Sequence, residues 1–337
     1  MKKVAIIGSG FSSLSAACYM AKKGYDVTIF EKNDGIGGRA RQLQHKGFVF
    51  DMGPTFYWMP DVFDKFFADF QKETTDYYEL VRLDPGYEVY FGVKDSIKVP
   101  ADLGEIFKSF ENEETGSSRF LKRFLKMAAF NYKAAMESVI YKPGKSPIEL
   151  ISFATIRRIN QFSSSISKVI RRNIKSNKLI NILEFPVIFL GAKPQKVPAF
   201  YCLMNHADMN LGTWYPKGGF FSVIEAMKKL AGELGAQIHT NSPVSRIIIE
   251  NRKVKGLKVN DSFMEFDCVI SGADYHHTEF LIEEKYRNYT NKYWKTRTFA
   301  PSALLFYVGF DKKLRNINHH TLFFDSDFNE HIESIYD

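Results

Sequence analysis

The first 31 residues show an apolar run, a glycine-rich turn, a helical pattern and a second apolar run. Residues 3–7 are almost wholly apolar and lead into Gly-Ser-Gly at residues 8–10. Apolar positions then recur at helical spacing over residues 14–23. A second apolar stretch covers residues 26–30 and ends in Glu31. This order predicts strand, helix and strand, the start of a βαβ unit.

Similar patterns return late in the chain. A helical run extends from the glycine pair at residues 218–219 to Leu234, and an apolar strand follows at residues 237–239. Residues 247–249 and 254–259 predict a hairpin, and the apolar run that begins at Cys268 predicts another buried strand. Strands that alternate with helices predict an α/β fold with a parallel sheet.

The glycines after the first strand have the positions that a dinucleotide-binding turn needs. Gly8 permits a tight turn, and Gly10 lets the backbone approach a pyrophosphate at a helix N-terminus. Glu31 would accept hydrogen bonds from an adenosine ribose. Ser13 replaces the third glycine of the usual motif, at a position that serves close packing of helix on strand. Despite this replacement, the strand, the helix, the second strand and the acidic residue follow in the expected order. We therefore favour a dinucleotide site over the alternative, a strand–helix turn without a ligand.

Positive charge is concentrated in residues 119–178, called the basic segment below. The whole chain has a formal charge of +8, yet this segment holds 14 Lys and Arg against 2 Asp and Glu. Apolar residues recur in it at helical steps, which predicts basic amphipathic helices, one of them opening at the capping box Ser146–Glu149. The segment is either a solvated face over an ordinary core or a docking face for an anionic membrane. Nucleic acid is disfavoured because no nucleic-acid motif accompanies it.

Composition narrows the class of protein. Among the 337 residues, 45% are hydrophobic and 25% charged, so the chain can bury a core. Three widely separated cysteines in no CxxC pattern indicate neither a disulfide framework nor a zinc site, and favour a reducing compartment. No apolar run is long enough for a signal peptide or a transmembrane helix. The 31 Phe residues suit a tunnel or surface for large apolar molecules.

A set of short motifs in a fixed order resembles one family. After Glu31 come GGRA at residues 37–40, FDMGPT at 50–55, WYPKGG at 214–219, NSPVSRI at 241–247, CVISGAD at 268–274 and NHHTLFFD at 318–325. In this order the motifs are similar to those of the bacterial-type phytoene desaturases, within the FAD-dependent amine-oxidase-like superfamily. The resemblance extends from residue 1 to the last residue.

The resemblance implies an α/β, two-domain, FAD-binding Rossmann-like flavoprotein. The FAD-binding domain would be interrupted and comprise residues 1–75 and 205–275. A mixed sheet-plus-helix domain of residues 76–204 and 276–337 would bind substrate and, through the basic segment, a membrane. The family continues past the point that matches residue 337, with elements that close over the flavin. The resemblance therefore implies that a C-terminal part is lacking from these residues.

The resemblance also implies the residues that contact FAD at the pyrophosphate, the ribose, the adenine and the flavin ring. They are Gly8, Gly10, Phe11, Ser12, Ser13, Glu31, Lys32, Gly38, Arg39, Gly53, Pro54, Thr55 and Val244. Val244 would meet the adenine through its backbone, and an ordinary core valine is the alternative. No catalytic base is identified, because surface or structural roles suit each of the candidates His206, Asp208, His276 and His277 better.

The implied activity is FAD-dependent desaturation of phytoene to more conjugated carotenes, toward lycopene. The substrate is a hydrocarbon, so the flavin would take a hydride while the protein positions the chain and excludes water. Quinone or oxygen would accept the electrons. Because the substrate dissolves in lipid, we expect a cytoplasmic protein attached peripherally to the inner face of the cell membrane.

Two alternatives remain open. One is another carotenoid-modifying flavoenzyme, either a hydroxycarotenoid desaturase or an isomerase. The other is a non-enzymatic prenyl-binding protein of the same fold. The intact glycine turn, Glu31 and the GGR run argue against the second alternative.

Overall fold

The structure is a computed structural model, and it describes residues 1–138, 140–141, 159–298, 300–324 and 327–336. The strands in these residues are β1 (Lys3–Ile7), β2 (Asp26–Phe30), β3 (Gln42–His45), β4 (Phe48–Asp51), β5 (Leu80–Arg82), β6 (Tyr87–Gly92), β7 (Asp95–Val99), β8 (Trp214–Pro216), β9 (Gln237–His239), β10 (Val244–Glu250), β11 (Lys253–Val259), β12 (Ser262–Glu265), β13 (Cys268–Ser271) and β14 (Thr321–Phe323).

The α-helices in the same residues are α1 (Phe11–Lys22), α2 (Pro60–Ala68), α3 (Leu103–Glu113), α4 (Ser117–Ser138), α5 (Ile159–Phe162), α6 (Ile166–Arg171), α7 (Asn177–Ile188), α8 (Leu203–Asn205), α9 (Phe221–Glu233), α10 (Tyr275–Phe280), α11 (Asn291–Lys295) and α12 (Phe328–Tyr336). Short 3₁₀ turns span Gly38–Ala40, Thr74–Asp76, Ala199–Cys202 and Glu284–Tyr286, and a π-helix spans His206–Asn210.

The chain divides into two compact units. Unit 1 comprises Met1–Tyr57, Asp61–Val81 and Tyr215–Phe299, and unit 2 comprises Trp58–Pro60, Arg82–Trp214 and Ala300–Asp337. Residues 76–81 and 276–298 thus cluster with unit 1, whereas the sequence-based division gave them to the substrate domain. Residues 58–60 and 205–214 cluster with unit 2, whereas that division gave them to the FAD-binding domain. The division by function stays a prediction.

Unit 1 is built on a four-stranded parallel sheet in the order β13–β1–β2–β9. Val4, Ala5 and Ile6 of β1 are fully buried, as expected of a central parallel strand. Helices α1 and α9 pack together, with Cys18 Sγ 3.8 Å from the Met227 carbonyl. The predicted strand–helix–strand start and the parallel Rossmann-type sheet are confirmed.

The order of the strands decides where a ligand can approach. The chain leaves β1 through α1 to reach β2 on one side, while β13 lies on the other side of β1. Ligands of doubly wound sheets bind at such a switch, beyond the carboxyl ends of the strands. The turn at residues 8–10, Glu31 and Gly272 all follow directly on strands at this edge.

An antiparallel sheet, β10–β11–β12, completes the core of unit 1. Val244 pairs with Val259 and Glu250 with Lys253, which confirms the predicted hairpin. Ile247 and Leu257 pack in one cluster with Phe30 and its neighbours in the parallel sheet. This shared core fixes the hairpin against the end of β2.

Unit 2 combines a small mixed sheet with helices. Strand β6 pairs in parallel with β14 and antiparallel with β7. In α4 the apolar face is buried by Leu121, Phe124 and Ala128. Helices α4, α6 and α7 confirm the helical prediction where the basic segment is described, and the capping box Ser146–Glu149 lies outside the described residues. No helix in the described ranges is long and apolar enough to cross a lipid bilayer.

Candidate functional site

The glycine turn after β1 has the geometry of a phosphate-binding turn. Gly8 has a φ of +86°, and its N–H donates to the Phe30 carbonyl at 2.8 Å. Gly10 is the N-cap of α1 in extended conformation, and its carbonyl accepts from Leu14 N–H at 3.0 Å. The backbone therefore turns from strand to helix within three residues and points the N-terminus of α1 at the edge of the sheet.

The space in front of Gly10 fits a pyrophosphate. A Cβ atom built on Gly10 would have no neighbouring protein atom within 4 Å. Helix α1 has 12 residues, so its dipole and the N–H groups of its first turn favour an anion at this point. A bulkier residue at position 10 would fill the space that the pyrophosphate moiety of FAD would take.

Glu31 is a buried, ionised carboxylate at the end of β2. Its Oε2 accepts hydrogen bonds from Ser9 N–H at 3.0 Å and Ser9 Oγ at 2.7 Å. Its Oε1 accepts from Asn33 N–H at 3.0 Å and Asn33 Nδ2 at 2.6 Å. Burial raises the pKa of Glu31, but the hydrogen bonds outweigh burial and hold the pKa below its usual value. Glu31 thereby ties the glycine turn to the loop that follows β2.

Ser9 is a site residue that sequence reasoning missed. It is fully buried, and besides donating to Glu31 its Oγ accepts from Gly37 N–H at 3.3 Å. The Ser9 carbonyl accepts a second bond from the same N–H at 3.0 Å. The sequence did carry a signal for this contact: Ser9 lies between Gly8 and Gly10 after β1, and the acidic Glu31 directly follows the next strand, β2.

The glycine pair of the GGRA run lies against the first turn. Gly37 and Gly38 have φ values of +105° and +59°, and a Cβ on Gly38 would be 3.3 Å from the Cα of Gly10. Arg39 is exposed, and its carbonyl is so close to Gly53 that a Cβ there would be 2.1 Å away. The structure therefore brings residues 8–10, 37–39 and 53 together, as the motifs predicted for one site.

Asp51 joins two motifs that are far apart in the sequence. Its carboxylate accepts from Phe220 N–H at 2.6 Å and Phe221 N–H at 3.2 Å, at the N-terminus of α9. A Cβ on Gly219 would be 2.5 Å from Asp51 Oδ2. The aspartate of FDMGPT thus caps the helix that follows WYPKGG, and only glycine permits this approach.

Gly272 explains how Ser13 replaces the third glycine of the motif. A Cβ on Gly272 would be 2.0 Å from Ser13 Oγ, and Gly272 N–H donates to the Ile7 carbonyl at 3.0 Å. Helix α1 therefore approaches the end of β13 closely because the glycine is on the strand side of the contact. The sequence motif alone did not show that the glycine of this contact follows β13 and does not lie in α1.

We expect Gly272→Ala to destabilise unit 1 by about 1–3 kcal/mol, since the added methyl group overpacks the contact between α1 and β13. The double variant Ser13→Gly, Gly272→Ala returns the space and should recover most of the loss. Urea denaturation of the three proteins measures both effects. A single variant as stable as the parent protein would contradict this account of the contact.

The other predicted residues lie around this centre. Phe11 packs its ring on Phe63 and Phe220, with centroids 6.2 and 5.9 Å away. Four residues are exposed, namely Ser12, Lys32, Pro54 and Thr55. Val244 is half-buried in the hairpin core, next to a loop whose Ser242 N–H donates to the Glu31 carbonyl at 2.8 Å. Contact of each of these residues with FAD stays a prediction.

Comparisons with known proteins agree with these features. The model of the family "Flavin containing amine oxidoreductase" matches residues 11–322. A carotenoid 3,4-desaturase of Haloarcula japonica is 36% identical over 343 residues, which cover 99% of this chain and 68% of the relative. A 4,4'-diapophytoene desaturase (4,4'-diaponeurosporene-forming) of Staphylococcus haemolyticus is 30% identical over 342 residues, with the same coverage.

A solved oxidoreductase from Methanosarcina mazei has the same fold, with a TM-score of 0.58 at 22% identity over 83% of this chain and 61% of that one. The glycine turn, the ionised Glu31 and the apposed glycine pair fit FAD, the cofactor of the matched family. The chain therefore belongs to the flavin-containing amine oxidoreductases and, within them, to the carotenoid desaturases, which are FAD-dependent oxidoreductases.

Proposed function

We propose that the protein desaturates an acyclic carotenoid of the phytoene type, toward lycopene, with FAD as hydride acceptor. The observation that carries the proposal is the match of 99% of the chain to two carotenoid desaturases, at 36% and 30% identity. When bound, FAD would supply the redox chemistry. The chain would hold the pyrophosphate with the turn at residues 8–13 and the ribose with Glu31, and Gly38 and Arg39 would lie along the phosphates.

Aromatic contacts in unit 2 support a hydrocarbon substrate. The ring of Phe185 lies 5.7 Å from Tyr87 and 5.1 Å from Phe189, and Phe189 contacts Trp58 at 5.3 Å. Phe324 adds a further ring 6.0 Å from Phe185. Tyr87 and Phe185 are buried, whereas Phe189 is 55% exposed and Phe324 is partly exposed, so these two rings offer surface for dispersion contacts with a polyene.

A carotenoid 3,4-desaturation is the second candidate. It is favoured by one observation, the higher identity to the Haloarcula japonica enzyme. The two candidates share the fold, the cofactor and the hydride transfer, and they differ in the carbon–carbon bond that is oxidised.

The test begins with the visible spectrum of the purified protein and continues with three substrates, namely phytoene, diapophytoene and a hydroxylated carotenoid. We expect an oxidised-flavin spectrum, and we expect phytoene to become coloured while quinone or oxygen reoxidises the flavin. A new double bond at the 3,4-position of the hydroxylated carotenoid, with phytoene and diapophytoene unchanged, would establish the second candidate in place of the first. A colourless protein that binds prenyl compounds without converting them would contradict both.

The exposed face of α4 supports docking to an anionic membrane leaflet. Its solvent side carries Arg119, Lys122, Arg123, Lys126 and Lys133, and Phe130 among them is 44% exposed. Lys168 and Arg172 are exposed on and directly after α6. Each Lys or Arg near an anionic surface contributes about 1 kcal/mol, and an aromatic ring enters the headgroup layer. We propose on this basis that the protein docks to the cytoplasmic face of the cell membrane.

Reversing three exposed charges, by Arg123→Glu, Lys126→Glu and Arg172→Glu, should lower sedimentation with phosphatidylserine vesicles at least tenfold. The residual binding should depend less on salt, because the attraction is screened over about 8–10 Å at ordinary ionic strength. The spectrum of bound FAD should not change. Undiminished vesicle binding would show that this face is only solvated.

A further inference from the structure

Desaturation releases a proton as well as a hydride, and this inference rests on the proposed function. One C–H bond of the substrate loses its hydrogen and both electrons as a hydride, which reduces FAD by two electrons. The neighbouring carbon loses a proton, and the electron pair of that bond forms the new C=C bond. A hydrocarbon has no group that can hold the proton, so the site needs a proton acceptor, which a carboxylate of the protein can supply.

Asp208 has surroundings suited to this task. It lies on the π-helix of unit 2 and is 3% exposed. Its Oδ2 accepts from the hydroxyl of Tyr87 at 2.7 Å, whereas its Oδ1 accepts no hydrogen bond of ordinary geometry from the described residues. π-Helical turns are frequent at functional sites, and a buried polar atom in this situation calls for an explanation.

A small cavity adjoins this carboxylate. Its volume is about 10 Å³, which is enough for one water molecule. Its lining includes Asp208, Tyr87, Gly212, Thr213 and Arg82. A water molecule in this cavity would provide a step by which a proton moves to or from Asp208.

The surroundings of Asp208 raise the pKa of its carboxyl group toward neutral pH. Burial raises the pKa of Asp208 to about 7, although the nearby hydroxyl groups of Tyr87 and Thr213 act in the opposite direction. The titratable and charged groups on the surrounding elements are Tyr87 on β6, Arg82 on β5, Tyr132 on α4, Glu184 on α7 with its partner Arg171 on α6, and His206 on the same π-helix. Both forms of Asp208 are therefore populated near neutral pH.

Two other buried carboxylates of unit 2 accept hydrogen bonds on both of their oxygens. Glu184 is fully buried and receives two hydrogen bonds from Arg171. Glu88 accepts from Ser96 Oγ at 2.8 Å and from Asn318 Nδ2. Asp208 differs from both because, among the described residues, none donates a hydrogen bond to its Oδ1 and no Lys or Arg forms an ion pair with its carboxylate.

We propose that Asp208 accepts the proton released in the desaturation and that Tyr87 positions its carboxylate. The proton leaves the substrate carbon, passes by way of the small cavity to the Asp208 carboxylate, and is returned to solvent before the next desaturation. Tyr87 is the positioning residue, because its hydroxyl donates to Oδ2 and leaves Oδ1 to take up the proton.

The test measures reduction of the bound flavin by a carotenoid in a single turnover, as a function of pH. In the parent protein the rate should rise with pH through about 7, because the acceptor must be deprotonated. Asp208→Asn should slow flavin reduction about 10²–10⁴-fold and abolish this pH dependence, and Asp208→Glu should restore part of the rate. FAD content and carotenoid retention should stay at the parental level.

Tyr87→Phe should move the midpoint of the pH profile upward, since it removes a hydrogen bond that stabilises the charged form of Asp208. An infrared pH titration of the holoprotein without carotenoid gives a readout that does not need turnover: a protonated-carboxyl band should titrate near pH 7 and vanish in Asp208→Asn. A parental protein that converts no carotenoid would refute the proposed function. An unchanged rate and pH profile in Asp208→Asn would instead refute the role of Asp208 alone.

Discussion

Gly10→Val is expected to abolish FAD binding while the chain keeps its fold. A Cβ at this position meets no protein atom within 4 Å, so the substitution costs little in the protein itself. The valine side chain would instead fill the space before the N-terminus of α1 that fits the pyrophosphate. Flavin content per protein after purification, read from the visible spectrum, measures the effect.

Gly232→Val on α9 is the matched control for this substitution. A Cβ at Gly232 also has no neighbour within 4 Å, but this glycine lies in the last turn of α9 and is no part of the glycine turn. We expect flavin content at the parental level, with a stability equal to or above that of the parent because glycine is a poor helix former. Full flavin content in Gly10→Val would show that the cofactor does not approach this turn.

Arg171→Glu is expected to destabilise the protein by about 3 kcal/mol or more. Arg171 donates through Nε and Nη2 to the two carboxylate oxygens of Glu184, both at 3.1 Å, and Glu184 is fully buried. The substitution would leave a buried carboxylate without its cation and place a second negative charge beside it. Urea denaturation gives the change in the free energy of unfolding.

Arg172→Glu is the control, since this neighbouring arginine is exposed and surface substitutions change stability within about 0.5 kcal/mol. The paired change Arg171→Met, Glu184→Leu replaces the whole ion pair by apolar side chains and should recover most of the loss. If Arg171→Glu and Arg172→Glu had equal stabilities, the ion pair would have no role in the fold.

Local, periodic parts of the fold could be predicted from the sequence. Strand β1, the turn at residues 8–10 and helix α1 are adjacent in the chain, and each has a strong pattern. The sequence pattern placed the start of α1 three residues late, because the first turn at Phe11 carries serines in place of the apolar period. Strands β3 and β4 went unpredicted because they have only four residues each, and strands β6 and β7 because charged and polar residues interrupt their apolar runs.

Contacts between distant residues could not be predicted. The partner of Ser13 is Gly272 and that of Asp51 is the helix after Gly219, and nothing local to either residue marks its partner. Arg171 reads as one more cation of the basic segment until packing buries Glu184 beside it. The charge pattern therefore predicted a basic surface correctly. It could not distinguish Arg171, which pairs with a buried carboxylate, from the arginines that are exposed to solvent.

The strand order of unit 1 also has a consequence for synthesis on the ribosome. Strands β1 and β2 are made within the first 30 residues, but their outer neighbours β13 and β9 begin at residues 268 and 237. At about 5–20 residues per second, the nascent chain would wait roughly 10–40 s for β9 to emerge. During this time the two apolar strands have open edges, which favour pairing with other chains. The parallel sheet of the cofactor site therefore cannot be completed before residues 237–271 have been made, and strands β1 and β2 keep open edges until then.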